Sequence, residues 1–247
     1  NVNGAKLLAC ASTNQQRADL FAGEFNVPLS FGSYEEMLQD PRIDVVYIAT
    51  PHNFHFPHTL LALHHNKAVL CEKPLAINLR QATEMCNLAQ AKNLFLMEAM
   101  WTRFLPHFEC VSAWIEKGTL GRLRWLEADF GVDFPFDENS RLYDPVLGGG
   151  SLLDLGIYPV FAALTFLGVP DQIEAEAQFS STGVDTRCEV QFHYSNGTSA
   201  QLMSTVLSTT ETAADLHFDK GKIVMHSSFH EPTSVSVYQG ELFGLLL

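Results

Sequence analysis

The stretch DVVYIATPHNFHFPHTLLALHHNKAVLCEKP, residues 44–74, decides the fold. Its opening, Asp44–Ala49, is β-branched, aromatic and apolar without alternation, the pattern of a parallel strand buried on both faces. His55–His65 follows with helical spacing, and Ala68–Cys71 is a second short apolar run. Strand, helix and strand in such a short span make a βαβ unit, whose crossover is right-handed. The pattern extends in both directions. Upstream, Ala5–Ala11 reads as a strand and Asn14–Phe25 as a helix. Downstream, Asn78–Ala91 reads as a helix with Asn78 at its N-cap, and Leu94–Glu98 as a further strand. The first part of the chain is therefore expected to be a Rossmann-type, doubly wound α/β domain.

After Trp101 the pattern changes. A helix over Pro106–Lys117 leads to a long strand, Leu123–Gly131, and the turn Gly148-Gly149-Gly150 precedes a helix over Ser151–Leu167. Six strands then follow with only turns between them: Ile173–Phe179, Cys188–Tyr194, Ser199–Ser204, Ala213–Phe218, Lys222–His226 and Ser234–Tyr238. Asn196-Gly197 and Lys220-Gly221 are hairpin signals. Strands without intervening helices imply an α+β domain with a large, mostly antiparallel open sheet. The expected domains are residues 1–101 and 102–247. A doubly wound nucleotide domain normally opens with a strand and a G-x-G-x-x-G turn, and nothing of that kind precedes Ala5. The last residues, Leu245-Leu246-Leu247, are apolar. The reading therefore expects a native protein that extends at both ends.

Composition excludes several classes. A net charge of −13 over 247 residues argues against a nucleic-acid surface, which needs clustered Lys and Arg. The longest uncharged apolar stretch, Gly156–Val169, holds Pro159 and Gly168 and suits a buried helix, so no membrane partner is expected. Cys10, Cys71, Cys86, Cys110 and Cys188 are scattered and form no CxxC pair, which fits a reducing cytoplasm. His52, His55 and His58 are spaced by three and His64-His65 follow, but a metal needs convergent, supported ligands, and none is expected here.

The most specific segment is Cys71-Glu72-Lys73-Pro74-Leu75, directly after a strand, where ligands of open α/β sheets sit. Pro74 fixes its own φ and biases Lys73 toward extended backbone, which aims the Lys73 side chain. A solvated Glu72–Lys73 pair at a strand end is the plainer alternative. Three further segments accompany it in order: Ile48-Ala49-Thr50-Pro51 with His55, Gly118–Gly121 (GTLG), and Gly149–Tyr158 (GGSLLDLGIY). Together these resemble the glucose–fructose oxidoreductase, inositol dehydrogenase and rhizopine-catabolism (Gfo/Idh/MocA) family over nearly the whole chain. Tyr158 stands where that family commonly has His. With Glu98–Phe104 (EAMWTRF) and His52, this makes the chain most similar to the dimeric dihydrodiol dehydrogenase branch.

The resemblance implies an NAD(P)-dependent oxidoreductase acting on CH–OH groups of a sugar, cyclic polyol or trans-dihydrodiol. It implies Tyr158 as acid/base, assisted by Lys73, with Asp154 orienting substrate or Lys73. Asp154 and Tyr158 lie four apart, hence on one helix face. Free tyrosine titrates at roughly pH 10, and an adjacent ammonium favours its phenolate. A core aromatic at Tyr158 and a structural carboxylate at Asp154 remain the plainer readings. The resemblance also implies that Glu72 bonds the nicotinamide ribose and that Thr50, Pro51, His55 and Lys73 line the cofactor. His52, Trp101 and Arg103 are candidates for substrate contact. The end of the first strand reads Cys10-Ala11-Ser12-Thr13-Asn14, without the carboxylate that grips a ribose 2′-hydroxyl. NADP is therefore favoured over NAD, with Ser12, Thr13 and Arg17 facing its phosphate, although Arg17 also reads as a solvated helix residue. The antiparallel sheet, with Val190, Phe192 and Tyr194 alternating, is expected to pair with a second subunit in a homodimer or larger oligomer. Two alternatives stay open: a sugar–sugar oxidoreductase that retains NADP, and a non-catalytic nucleotide- or sugar-sensing regulator of the same fold.

Overall fold

A computed structural model describes residues 4–240. The apolar run Leu245–Leu247 lies outside the described residues. The chain divides into two units, Asn1–Ala99 and Met100–Leu247.

The first unit alternates strands and helices: β1 (Ala9–Ala11), α1 (Gln15–Phe25), β2 (Leu29–Phe31), α2 (Tyr34–Leu38), β3 (Val45–Ile48), α3 (His52–His64), β4 (Ala68–Cys71), α4 (Leu79–Ala91) and β5 (Leu96–Glu98). All its strand pairings are parallel. They form a two-stranded sheet, β1-β2, and a three-stranded sheet, β3-β4-β5. Local chemistry sets the helix starts. Asn14 and Asn78 accept from the backbone N–H three residues on, at 3.1 and 3.0 Å, satisfying donors that a first turn leaves open. Pro51 precedes α3, and that helix begins at His52, earlier than helical spacing alone suggests.

Two features depart from the sequence reading. β2 and α2 are short and lack a long periodic run, so neither was expected. Val45 and Tyr47 are more than half exposed, although Asp44–Ala49 reads as a strand buried on both faces. The two side chains share one face of β3, opposite Val46 and Ile48. The core lies on the other side, where Ile48, Val69, Cys71, Leu63 and Ala89 pack together.

The second unit begins with a single 3-10 turn, Trp101–Phe104, then α5 (Pro106–Lys117) and β6 (Leu123–Gly131). A π-helical turn, Leu152–Gly156, runs into α6 (Ile157–Leu167). The strands β7 (Gln172–Phe179), β8 (Asp185–His193), β9 (Ser199–Thr205), β10 (Ala214–Phe218), β11 (Gly221–Met225) and β12 (Val235–Gln239) complete it. With β6 they form a seven-stranded sheet in the order β12-β11-β10-β6-β9-β8-β7. Every pairing is antiparallel except β6 with β9. This is the mostly antiparallel open sheet that the strand run implies.

One face of the sheet is apolar. Cys188, Val190, Phe192, Leu202, Leu216 and Ile223 share a core with Phe108 and Val111 of α5 and Ala162 and Ala163 of α6. Pro145–Leu167 is long and apolar enough, by length and composition, to cross a membrane. Its α6 portion instead buries Ala162 and Ala163 completely in this core. The other face carries Trp125, Glu127, Arg187, Glu189, Gln201, Met203, Asp215 and His217.

Candidate active site

In the first unit the carboxyl ends of three parallel strands are level, with Ile48 opposite Cys71 and Cys71 opposite Glu98. The loops leaving these ends are tied to one another. His55 is fully buried, with Nδ1 2.7 Å from the Pro74 carbonyl and Nε2 2.8 Å from the Thr50 carbonyl. Both ring nitrogens thus face acceptors, and the ring clamps the Thr50 loop to the Lys73–Pro74 loop. Glu98 accepts from the Leu75 N–H at 2.7 Å, fixing the same loop from β5. Tyr47 donates its hydroxyl to Glu72, and the Lys73 N–H donates to the other Glu72 oxygen at 3.1 Å. Burial, reinforced by the Glu72 carboxylate, pushes the Tyr47 phenol up to about 12. The Cys71 thiol, buried just before Glu72, is likewise pushed up to about 12, chiefly by desolvation.

Thr50 Oγ1 lies 3.1 Å from His58 Nδ1, and the His58 ring stacks with Phe54 and tilts against Tyr34. Burial, with His55 nearby, lowers the His58 pKa and favours a neutral ring. His52 is buried with its ring 5.7 Å from that of His55. The histidine series is thus built into the loop scaffold.

At the end of β1, the Ser12 N–H donates to Phe31 O at 3.0 Å, and Ser12 Oγ accepts from the Asn14 N–H at 3.4 Å. Thr13 and Arg17 are exposed at the start of α1. The carboxylate nearest in sequence on that helix, Asp19, accepts from Ser30 at 2.6 Å and Gln15 at 2.8 Å. Those bonds hold its pKa below the ordinary carboxylate value.

In the second unit the helix carrying Asp154 and Tyr158 is anchored at its start. Asp185 accepts from Ser151 Oγ and from the Leu152 N–H, both at 2.7 Å. The turn before it is tight: a Cβ on Gly149 would sit 2.4 Å from Leu142 O, and one on Gly150 2.1 Å from Asp185. Asp154 falls in the π turn and Tyr158 at the beginning of α6. π turns inside helices frequently mark functional sites. Arg141 reaches both Asp154 oxygens at 3.2 Å. Trp101 Nε1 donates to Tyr158 Oη at 3.3 Å, and the His230 and Phe130 rings lie 5.0 and 5.5 Å from that of Tyr158. Arg103 is exposed, its N–H donating to Met100 O at 3.1 Å.

Comparison with known proteins gives this arrangement a family. Residues 1–100 match the oxidoreductase family with an NAD-binding Rossmann fold, and residues 108–224 match the GFO/IDH/MocA C-terminal domain. The trans-1,2-dihydrobenzene-1,2-diol dehydrogenase of Xenopus tropicalis is 37% identical over 94% of this chain and 70% of its own length. That of Mus musculus is 39% identical over 87% of this chain and 65% of its own. The chain belongs to the Gfo/Idh/MocA oxidoreductase family. A 3-ketoreductase from Actinomadura kijaniata, solved with NADP and TDP-benzene, superposes with a TM-score of 0.86 at 26% identity. The match covers 96% of this chain and 74% of that one. A levoglucosan dehydrogenase solved with NADH and levoglucosan shares the fold, with a TM-score of 0.84 at 24% identity over 95% of this chain and 67% of that one.

As a member of the Gfo/Idh/MocA family the chain is an oxidoreductase with an NAD-binding Rossmann fold. Within each unit the structure groups several residues singled out from the sequence. Thr50, His55, Glu72 and the Lys73 backbone share one bonded loop cluster, and Trp101 meets Tyr158. Others escaped the sequence reading. Glu98 sits inside the quoted EAMWTRF segment, yet only the fold shows that it holds the loop after Lys73. Tyr47 hides in an apolar strand. His230 lies in an irregular segment between β11 and β12 with no pattern to mark it. A further group, Glu127, Asp215 and His217, converges on the open sheet face. Its donors already engage one another or Lys222: His217 meets Glu127 at 3.1 Å and Lys222 meets Asp215 at 2.9 Å.

Proposed function

We propose that this protein is an NADP-linked dehydrogenase that oxidises a secondary alcohol of a trans-dihydrodiol, sugar or cyclic polyol. The observation that carries the reading is Tyr158, buried at the start of α6, with its hydroxyl engaged by Trp101 and Asp154 one turn before. Its relatives named trans-1,2-dihydrobenzene-1,2-diol dehydrogenase support the choice of substrate class.

A nicotinamide cofactor, when bound, would supply the acceptor for the carbinol hydride. Tyr158, as phenolate, takes the hydroxyl proton, so that a secondary alcohol becomes a ketone and Tyr158 becomes neutral phenol. Lys73 supplies an ammonium that favours the phenolate and stabilises the substrate oxygen as charge develops. Asp154, held by Arg141, orients the substrate. His52, Trp101 and Arg103 contact it in this reading.

Glu72 holds the nicotinamide ribose, and Thr50, Pro51 and Lys73 line the cofactor. His55 serves them by fixing two loops. At the other end Ser12, Thr13 and Arg17 meet the adenine ribose phosphate. The end of β1, Cys10–Asn14, carries no carboxylate to repel a 2′-phosphate, which supports NADP over NAD.

The reading includes a homodimer formed through the open sheet face, where Trp125 is half exposed. Light scattering at micromolar concentration is expected to give twice the chain mass, and a monomer would refute that part. A cytoplasmic location completes the proposal, supported by the five free thiols.

The deciding experiment follows NADPH absorbance across aldoses, inositols and trans-dihydrodiols. Turnover of one class, with NADP used better than NAD, is expected. Tyr158→Phe should lower kcat by about a hundredfold or more while NADP affinity holds. Full turnover by that variant would overturn the assignment.

A further inference from the structure

Trp101 does more than border a substrate: we infer that its indole N–H is the fixed donor that positions Tyr158 and favours the phenolate. This inference rests on the proposed acid/base role of Tyr158. The two side chains are 57 positions apart, yet Nε1 lies 3.3 Å from Oη. An indole N–H only donates, so the bond can persist whether Oη is a phenol or a phenolate. It strengthens when the oxygen is charged. A hydrogen bond to the charged form favours that form.

The surroundings fix the geometry. Trp101 sits in a single helical turn whose Thr102 hydroxyl donates to His230 O at 2.9 Å, and Thr102 is fully buried. That bond ties the Trp101 turn to the segment whose His230 ring packs on Tyr158. His230 lies 5.0 Å from the Tyr158 ring, 4.3 Å from Phe130 and 6.3 Å from Trp101. Phe130 of β6 closes another side at 5.5 Å. The phenol is therefore surrounded by aromatic rings, and the indole N–H is a polar group aimed at its oxygen.

Titratable and charged groups lie near Tyr158 on the elements packed against it. His230 faces its ring, with Glu231 3.7 Å from His230 Nε2. Asp154 lies one turn earlier on the same helix and is paired with Arg141. The Trp101 donor is uncharged at every working pH, so its removal displaces the rate profile without adding a titration of its own.

The test is the pH profile of kcat for the NADP-loaded full chain as wild type, Trp101→Phe and Tyr158→Phe. Phe keeps an aromatic ring at a residue that is 42% exposed, removes the donor and shortens the ring system. Trp101→Phe is expected to move the acidic limb of kcat upward by about one pH unit, lowering kcat at pH 7 about tenfold and recovering at high pH. KM for the alcohol should rise as well, because Trp101 borders the substrate, so the displacement of the limb carries the test. An unshifted limb, or a uniform loss at every pH, would overturn the inference and leave Trp101 as a wall of the substrate pocket. Far-ultraviolet circular dichroism establishes that the variant is folded. If Tyr158→Phe keeps full turnover, the acid/base reading fails and this inference falls with it. If Tyr158→Phe is inactive and the Trp101→Phe profile is unshifted, only the inference fails.

Discussion

Both carboxylate oxygens of Asp154 lie 3.2 Å from one nitrogen of Arg141, across 13 residues that include the Gly148–Gly150 turn. The pair joins the long segment before that turn to the helix bearing Tyr158. Asp154 is buried, whereas the Arg141 side chain is half exposed, so solvent screens the pair from one side. Its contribution to stability is therefore modest, about 1 kcal/mol.

A double-mutant cycle in urea measures that coupling. Arg141→Ala and Asp154→Asn are each expected to lower stability, and the double variant to lose less than the sum. Strict additivity would mean that the pair contributes nothing.

The helix start makes a stronger demand. Asp185 accepts both Ser151 Oγ and the Leu152 N–H, replacing a local N-cap with a carboxylate from β8. Asp185→Ala should cost about 2 kcal/mol, the upper range of a lost cap. Gly150→Ala should cost more, because φ is +114° there and the new Cβ would meet Asp185 at 2.1 Å. Thermal denaturation ranks the two, and a neutral Gly150→Ala would show that the turn relaxes freely.

His55 connects two loops of the first unit through the carbonyls of Pro74 and Thr50. Removing the fully buried ring leaves a cavity and at least one carbonyl short of its donor. His55→Ala is expected to lose about 3 kcal/mol of stability and to weaken NADP binding through loop movement. Fluorescence titration with NADP checks the second effect. Undiminished affinity would separate the clamp from the cofactor.

How much of this was legible in the sequence depends on the kind of contact. Runs such as Asp44–Ala49 and Ala68–Cys71 announce strands because β-branched and aromatic side chains favour extended backbone. The hairpin signals Asn196-Gly197 and Lys220-Gly221 mark turns because tight turns demand particular backbone angles. β2 and α2 were not legible, since three and five residues are too few to display a period. Nor was the parallel pairing of β6 with β9, which depends on where the intervening chain returns. The Lys73 and Tyr158 segments stood out by their residue types, but their neighbours did not. Glu98 and His230 act through long-range contacts, and no spacing along a chain encodes a partner many positions away.

Tyr47 offers a pH-dependent readout of the first unit. Its hydroxyl donates to Glu72, and burial together with that carboxylate raises the phenol from 10.0 to about 12. A group whose folded pKa is raised contributes stability that is fully present below its unfolded value and is lost as pH rises through the folded one. The contribution from Tyr47 is therefore complete below about pH 10 and disappears between about pH 10 and 12. Its size is limited because the residue is more than half exposed. Ultraviolet titration of tyrosinate should show one phenol ionising near pH 12 that is missing in Tyr47→Phe. The same variant should lose stability less steeply than wild type over that window. If the phenol missing from Tyr47→Phe instead ionises near its ordinary value of 10.0, Tyr47 is not held by Glu72.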